Sequence, residues 1–80
     1  MKIIDKPVKV VTRRLKIPHS FDYRGKQQVK KVIDFWVEAG EWWEGNLERV
    51  VYRVRTTGGG MFELYRNKDE EYWFLYKVYD

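Results

Sequence analysis

His19, Ser20 and Asp22 form the only grouping in this 80-residue chain that sets a nucleophile beside a base. The chain holds a single His and a single Ser, so no second set of this kind can be assembled. In an extended segment neighbouring side chains point to opposite faces, which puts Ser20 and Asp22 together and His19 across from them. A triad needs the base held between nucleophile and acid, and this spacing does not supply that geometry. The residues therefore read as those of a protein that is not an enzyme.

Metal and cofactor chemistry fare no better. One His and no Cys cannot build a structural zinc site. The carboxylates at Glu41/Glu44 and at Asp69-Glu70-Glu71 do not match the spacing of a calcium loop, and the second run reads as a solvated turn. Thr57-Gly58-Gly59-Gly60 could offer backbone N–H groups to an anion. A phosphate loop, however, leads into a helix and carries a Lys followed by Ser or Thr. Here a strand pattern follows, so the glycines read as a hairpin loop. No cofactor is expected.

Two sets of residues remain for binding. The first is basic. Residues 1–40 carry ten Lys/Arg against four Asp/Glu, whereas residues 41–80 carry six against eight. Arg13, Arg14, Lys26 and Lys30 fall on the first strands, and Arg53 and Arg55 share one face of a later strand. Side by side, these six would form a candidate nucleic-acid face, as in small barrels that bind single strands with a basic groove and stacking aromatics. Lys and Arg on outward strand faces also serve solubility and block edge pairing, so charge alone does not decide.

The second set is Trp42-Trp43, enclosed by Gly40 and Gly45. Adjacent residues of an extended chain cannot both face one core, so one Trp is expected inside and the other at a surface. Exposed Trp is a common interface anchor, and small β-barrels bind peptides along an edge strand or an aromatic groove. A non-catalytic module with an unknown protein partner is the expected function. A nucleic-acid-binding β-barrel is the alternative.

The elements that must position these residues read as strands. One domain is expected over residues 1–80, with residues 1–6 frayed or forming an edge. Val8, Val10 and Thr12 alternate with Lys9, Val11 and Arg13, while Leu15 and Ile17 fall on the opposite parity. That mismatch asks for a bulge near Arg13–Arg14 or for cover on both faces, and Pro18 is expected to end the strand. His19–Tyr23 and Gln27–Val37 flank an Arg24-Gly25-Lys26 turn. Within Gln27–Val37 the apolar positions also fit part of a helical template. Its β-branched and aromatic content and the hairpin before it favour strand.

Val50, Tyr52, Val54 and Thr56 give the cleanest alternation. Met61–Arg66 is the return strand, and Glu71–Tyr79 is so apolar that it is expected to be central and covered on both sides. About six strands with hairpin-length connections predict an all-β antiparallel barrel or strongly curved meander with little or no helix. Aromatics make up 18% of the chain and each can bury about 150–250 Å², which suits a small core without disulfides. The lack of Cys, of an opening apolar run and of about 20 consecutive apolar residues predicts a cytoplasmic protein outside the membrane.

Three segments carry a family resemblance. They are GEWWEG (Gly40–Gly45), YRVRTTGGGMFELYR (Tyr52–Arg66) and YWFLYKVYD (Tyr72–Asp80), joined by the basic first strand, the Arg24–Lys26 hairpin and the Trp36–Trp43 spacing. Together they resemble a small uncharacterised all-β domain found stand-alone in bacteria and at the C-terminus of ImuB-type proteins, the catalytically dead relatives of Y-family polymerases. The resemblance covers most of residues 20–80. It implies a link to DNA-damage tolerance and no catalytic residues. Whether the domain pairs with a second copy through an edge strand is left open by the sequence.

Overall fold

The Val50–Thr56 alternation lies in the middle strand of an antiparallel sheet. The computed structural model describes residues 1–39, 48–68 and 70–79. Among them are seven strands: β1 (Lys2–Val8), β2 (Val10–Thr12), β3 (Pro18–Asp22), β4 (Lys26–Glu38), β5 (Arg49–Thr56), β6 (Met61–Asn67) and β7 (Trp73–Tyr79). Their order across the sheet is β1-β7-β6-β5-β4-β3-β2. The two edge strands, β1 and β2, are separated in sequence by Lys9 alone. A sheet whose edges are joined by one residue must curl round on itself, and the result is a half-barrel. The Asp22 amide donates to the Lys9 carbonyl at 3.2 Å and pins that junction.

The concave face holds the core. Phe21, Tyr52, Val54, Phe62, Leu64, Trp73, Leu75 and Val78 are buried there, with Ile4, Val8, Val10, Tyr23, Val29, Val32 and Val50 packed round them. Phe62 makes T-shaped contacts with both Phe21 and Tyr23, with ring centroids 5.1 and 5.8 Å apart. At the β5–β6 hairpin, Gly59 takes φ +91°, which favours glycine, and a Cβ on Gly60 would lie 2.8 Å from the Phe62 ring.

Bulges explain where the apolar pattern departs from strict alternation. The pairing of β4 with β5 shifts between Val29 and Lys31 and again between Val32 and Asp34. Each extra residue returns the next apolar side chain to the concave face, so Val29, Val32 and Phe35 stand opposite Thr56, Val54 and Tyr52. A strand with two bulges thus acquires a spacing of three and imitates a helix. Segment 27–37 is strand throughout.

β7 departs from expectation in a similar way. Its register against β6 shifts between Glu63 and Leu64, which brings Val78 to the side of Trp73 and Leu75. It lies second from the edge, and Tyr72 before it is 75% exposed. The strand buried on both faces is β6, where Phe62, Glu63, Leu64 and Tyr65 are all buried. The expected strand through Ile17 also divides. β2 stops at Thr12, a tight turn spans Arg14–Lys16, and Pro18 opens β3. Proline is tolerated as the first residue of a strand because no ladder donor is needed there.

Candidate interaction surface

β4 runs for 13 residues, but β3 pairs with it only from Lys26 to Gln28. From Val29 onward β4 has no neighbour on that side among the described residues. Among the described residues the concave face is therefore left open along its second half. Phe35 is 64% exposed there and Val37 is 55% exposed, although both point to the side that holds the core. Leu15, Ile17, Val32, Ile33, Phe35 and Tyr52 line a groove of about 560 Å³, with Asp34 as its one charged member among the described residues.

The floor of this groove is continuous with the core. The Phe35 ring stacks on Tyr52 with centroids 6.0 Å apart, and Tyr52 in turn meets Trp73 at 5.5 Å. Tyr52 and Trp73 are buried, so Phe35 is the outward end of an aromatic row that reaches inside. The Phe35 amide donates to the Asp34 Oδ1 at 2.8 Å.

The opposite wall is the turn Arg13–Ile17. The Arg13 amide donates to the Ile17 carbonyl at 2.7 Å, and the Ile17 amide returns to the Arg14 carbonyl at 3.3 Å. Closing so tight a turn puts Leu15 and Lys16 both at φ 58°, the left-handed region. For residues with a Cβ this costs about 1–2 kcal/mol each. Leu15 recovers little of it by burial, being 87% exposed. A strained position that displays an aliphatic side chain to water is characteristic of binding sites. Arg13, Arg14 and Lys16, its neighbours in the chain, are all exposed.

The convex face carries a polar and aromatic layer instead. Glu63 is buried at its centre, 1% exposed. Arg53, directly across the β5–β6 ladder, donates Nε and a terminal nitrogen to Glu63 Oε2 at 3.2 and 3.1 Å. The Tyr79 hydroxyl donates to the same oxygen, and Lys77 Nζ stands 4.0 Å from Oε1. The bond to Glu63 holds the Tyr79 hydroxyl above the usual phenol pKa and the Arg53 guanidinium above its usual value. Arg53 also lies over the rings of Trp36 and Tyr79, at 5.3 and 5.5 Å. Arg49 covers Tyr65 and Tyr76 at 4.7 and 5.0 Å and pairs with Glu38 at 2.9 Å. The Trp36 Nε1 donates to Glu38, which lowers that carboxyl's pKa. These contacts tie the layer together, although the buried Glu63 Oε1 has no hydrogen-bond partner among the described residues, and the layer reads as structural.

The six basic residues do not form one stripe. Arg53 is committed to Glu63, while Arg55 is exposed on the convex face opposite Lys31 of β4. Lys26 begins β4 beside Asp22, and Lys30 sits at the first β4 bulge. Arg13 and Arg14 lie on the turn beyond β2, where Arg13 Nε donates to His19 Nδ1 at 2.8 Å. Of the nucleophile grouping, Ser20 is buried, Asp22 is exposed, and the His19 Nδ1 is held by Arg13. Trp42 and Trp43 lie outside the described residues.

Sequence reasoning placed Ile33, Phe35 and Val37 in a strand without reading what covers it, and so missed the groove. The available signal was length: a 13-residue strand preceded by one of five must outrun its partner. Among the described residues there is no cluster of three or more His, Asp or Glu arranged to hold a metal, and no helix long and apolar enough to cross a membrane.

No curated protein and no solved structure matches the chain. One family does, over residues 1–80, and the chain accordingly belongs to the family described as Domain of unknown function (DUF6504).

Proposed function

We propose that this domain is a non-catalytic protein-interaction module that receives its partner in the groove between the Arg13–Ile17 turn and β4. The observation that carries this reading is Phe35. It is a large aromatic side chain, 64% exposed, stacked on a buried tyrosine in an apolar groove, and it is followed by Val37 at 55%. Core-facing strand positions left open in this way form the desolvatable centre that interfaces use. The Trp42-Trp43 segment is retained as a second candidate anchor. The resemblance to the C-terminal domain of ImuB-type proteins supports DNA-damage tolerance as the setting.

The test is capture of partners by the wild-type chain, by Phe35→Ser and by Arg55→Ser. A discrete partner lost on Phe35→Ser and kept on Arg55→Ser is expected. A partner set unchanged by Phe35→Ser contradicts the assignment.

The second reading is a nucleic-acid-binding half-barrel. It is favoured by one observation, the exposed Arg55–Lys31 pair on the convex face. Titration with single-stranded and duplex DNA at two salt concentrations decides it, because phosphate contacts must produce a salt slope.

A further inference from the structure

We infer that the chain binds a small oxyanion, a phosphate or a carboxylate, at the Arg66 end of the concave face, with Arg66, Lys16 and Thr12 as its donors. This site is separate from the Phe35 groove and stands without the interaction-module reading. Along β6, Phe62 and Leu64 enter the core, and the same alternation carries Arg66 to that side. Arg66 pairs with Trp73, the first residue of β7, and its guanidinium lies over the Trp73 ring at 5.9 Å. A cation therefore stands on the side of the sheet that otherwise takes apolar side chains. Three arginines are half-buried: Arg49, Arg53 and Arg66. Arg49 holds Glu38 and Arg53 holds Glu63, whereas no ion pair among the described residues involves Arg66. Its Nε is buried and has no hydrogen-bond partner among them. A buried donor on a charged group is costly to leave unmade, and a bound ion is one way such a group is satisfied.

The surroundings suit an anion. A cavity of about 190 Å³ is lined by Val10, Thr12 and Lys16 on one side and by Arg66, Glu71 and Trp73 on the other. The curl of the half-barrel brings β2 and the turn after it across from the start of β7. The guanidinium fork matches two oxygens of a phosphate or a carboxylate, Lys16 adds a second positive charge, and the Thr12 hydroxyl can donate. The buried Trp73 ring supplies an apolar wall, beside which a charge-assisted bond is stronger than in water. Glu71 is the single acid of the lining among the described residues; it is exposed and pairs with neither cation. It weakens the attraction for an anion without satisfying Arg66. Two cations beside one carboxylate disfavour a metal ion.

The experiment is a titration of the isotope-labelled full chain with sodium phosphate, sodium acetate and sodium chloride, at constant pH and matched ionic strength. Binding is followed by NMR at the Arg66 Nε–H, a signal assigned by its loss in Arg66→Lys. A saturable shift with phosphate or acetate, and none with chloride, is expected. Phosphate alone identifies a phosphoryl ligand, acetate alone a carboxylate, and both together a site open to either. In the variants the backbone amides of Thr12 and Glu71 report binding. Affinity is expected to fall about tenfold on Arg66→Lys, which keeps the charge and loses the fork, and by a similar factor on Lys16→Gln. It is expected to rise on Glu71→Gln and to be unchanged on Arg55→Gln. Circular dichroism confirms that each variant keeps its fold, and Lys16→Gln, on an exposed turn, decides the matter should Arg66→Lys unfold. Shifts that are alike in all three salts report screening only and overturn the inference. So does binding that is indifferent to both Arg66→Lys and Lys16→Gln, or binding that Glu71→Gln weakens. No saturable shift with either oxyanion leaves Arg66 as a cover for Trp73 and overturns it as well.

Discussion

Arg53 stands directly opposite Glu63 in the β5–β6 ladder and donates twice to one oxygen of its buried carboxylate, at 3.1 and 3.2 Å. The pair decides what the convex face is for. An arginine that the sequence offered to phosphate is already committed to a carboxylate, and the aromatic rings round it hold the cation in place. The layer therefore covers the outer side of the sheet round Glu63, and the surface proposed for a partner lies on the other side.

Breaking that pair from the arginine side leaves a buried charge without its main partner, a change that costs about 3–5 kcal/mol in buried pairs. Arg53→Ala is expected to fall at the low end, near 3 kcal/mol, because Lys77 and Tyr79 still reach Glu63. Adding Glu63→Gln should recover part of the loss. Chemical denaturation of the two single variants and the double variant checks this. Additive losses would mean that the two residues act independently.

The β5–β6 loop has a tighter constraint at Gly60 than at its neighbours. A Cβ there meets the Phe62 ring at 2.8 Å, and that ring is pinned by Phe21 and Tyr23. Gly60→Ala is expected to destabilise by about 1–3 kcal/mol through overpacking. Gly58→Ala, whose Cβ would have its nearest neighbour at 4.0 Å, serves as the control and should be close to neutral in a thermal melt.

Tyr65 makes stability depend on alkaline pH. Burial, followed by its hydrogen bond to Asp5 at 2.6 Å, pushes the hydroxyl from the usual 10.0 up to about 12. A phenol with a raised folded value contributes stability that is complete below the ordinary value and is lost as pH climbs through the folded one. Thermal melts between neutral pH and pH about 12 should therefore fall more steeply for the wild-type chain than for Tyr65→Phe. Parallel curves would show that Tyr65 is not the group responsible.

Leu15 separates stability from binding. Its φ of 58° suits glycine, and its side chain is almost wholly in water. Leu15→Gly should relieve strain and leave stability unchanged or raise it by up to about 1 kcal/mol. The same change should weaken binding of any groove ligand. Gains or losses moving together in calorimetry and in binding assays would deny Leu15 a place in the groove.

Local patterning made much of this fold legible. The alternation of Val50–Thr56, the positive-φ Gly25 and the Gly58–Gly60 loop each determine their own neighbourhood, and antiparallel hairpins follow from them. The bulges were less legible, because an extra residue is placed by the pairing across the ladder and leaves only a broken period at Val32-Ile33 and at Tyr76–Val78. Pro18 misled for a similar reason: a proline marks a strand boundary without saying which side it bounds. The groove was hidden because Phe35 is a core residue by type and parity. Among the described residues, it is the short reach of β3 that leaves it uncovered. The role of Arg53 was hidden because its partner Glu63, a lone acid among apolar neighbours, reads from sequence as a solvent-facing position.

The central claim is that a partner docks on the Phe35 side of the half-barrel and not on the Arg55 side. The most direct measurement is photo-crosslinking in cells, with a photoreactive phenylalanine placed at Phe35 in one chain and at Arg55 in another. A discrete protein adduct from position 35 and none from position 55 is the predicted result. Adducts from position 55 alone, whether to protein or to nucleic acid, would contradict the account.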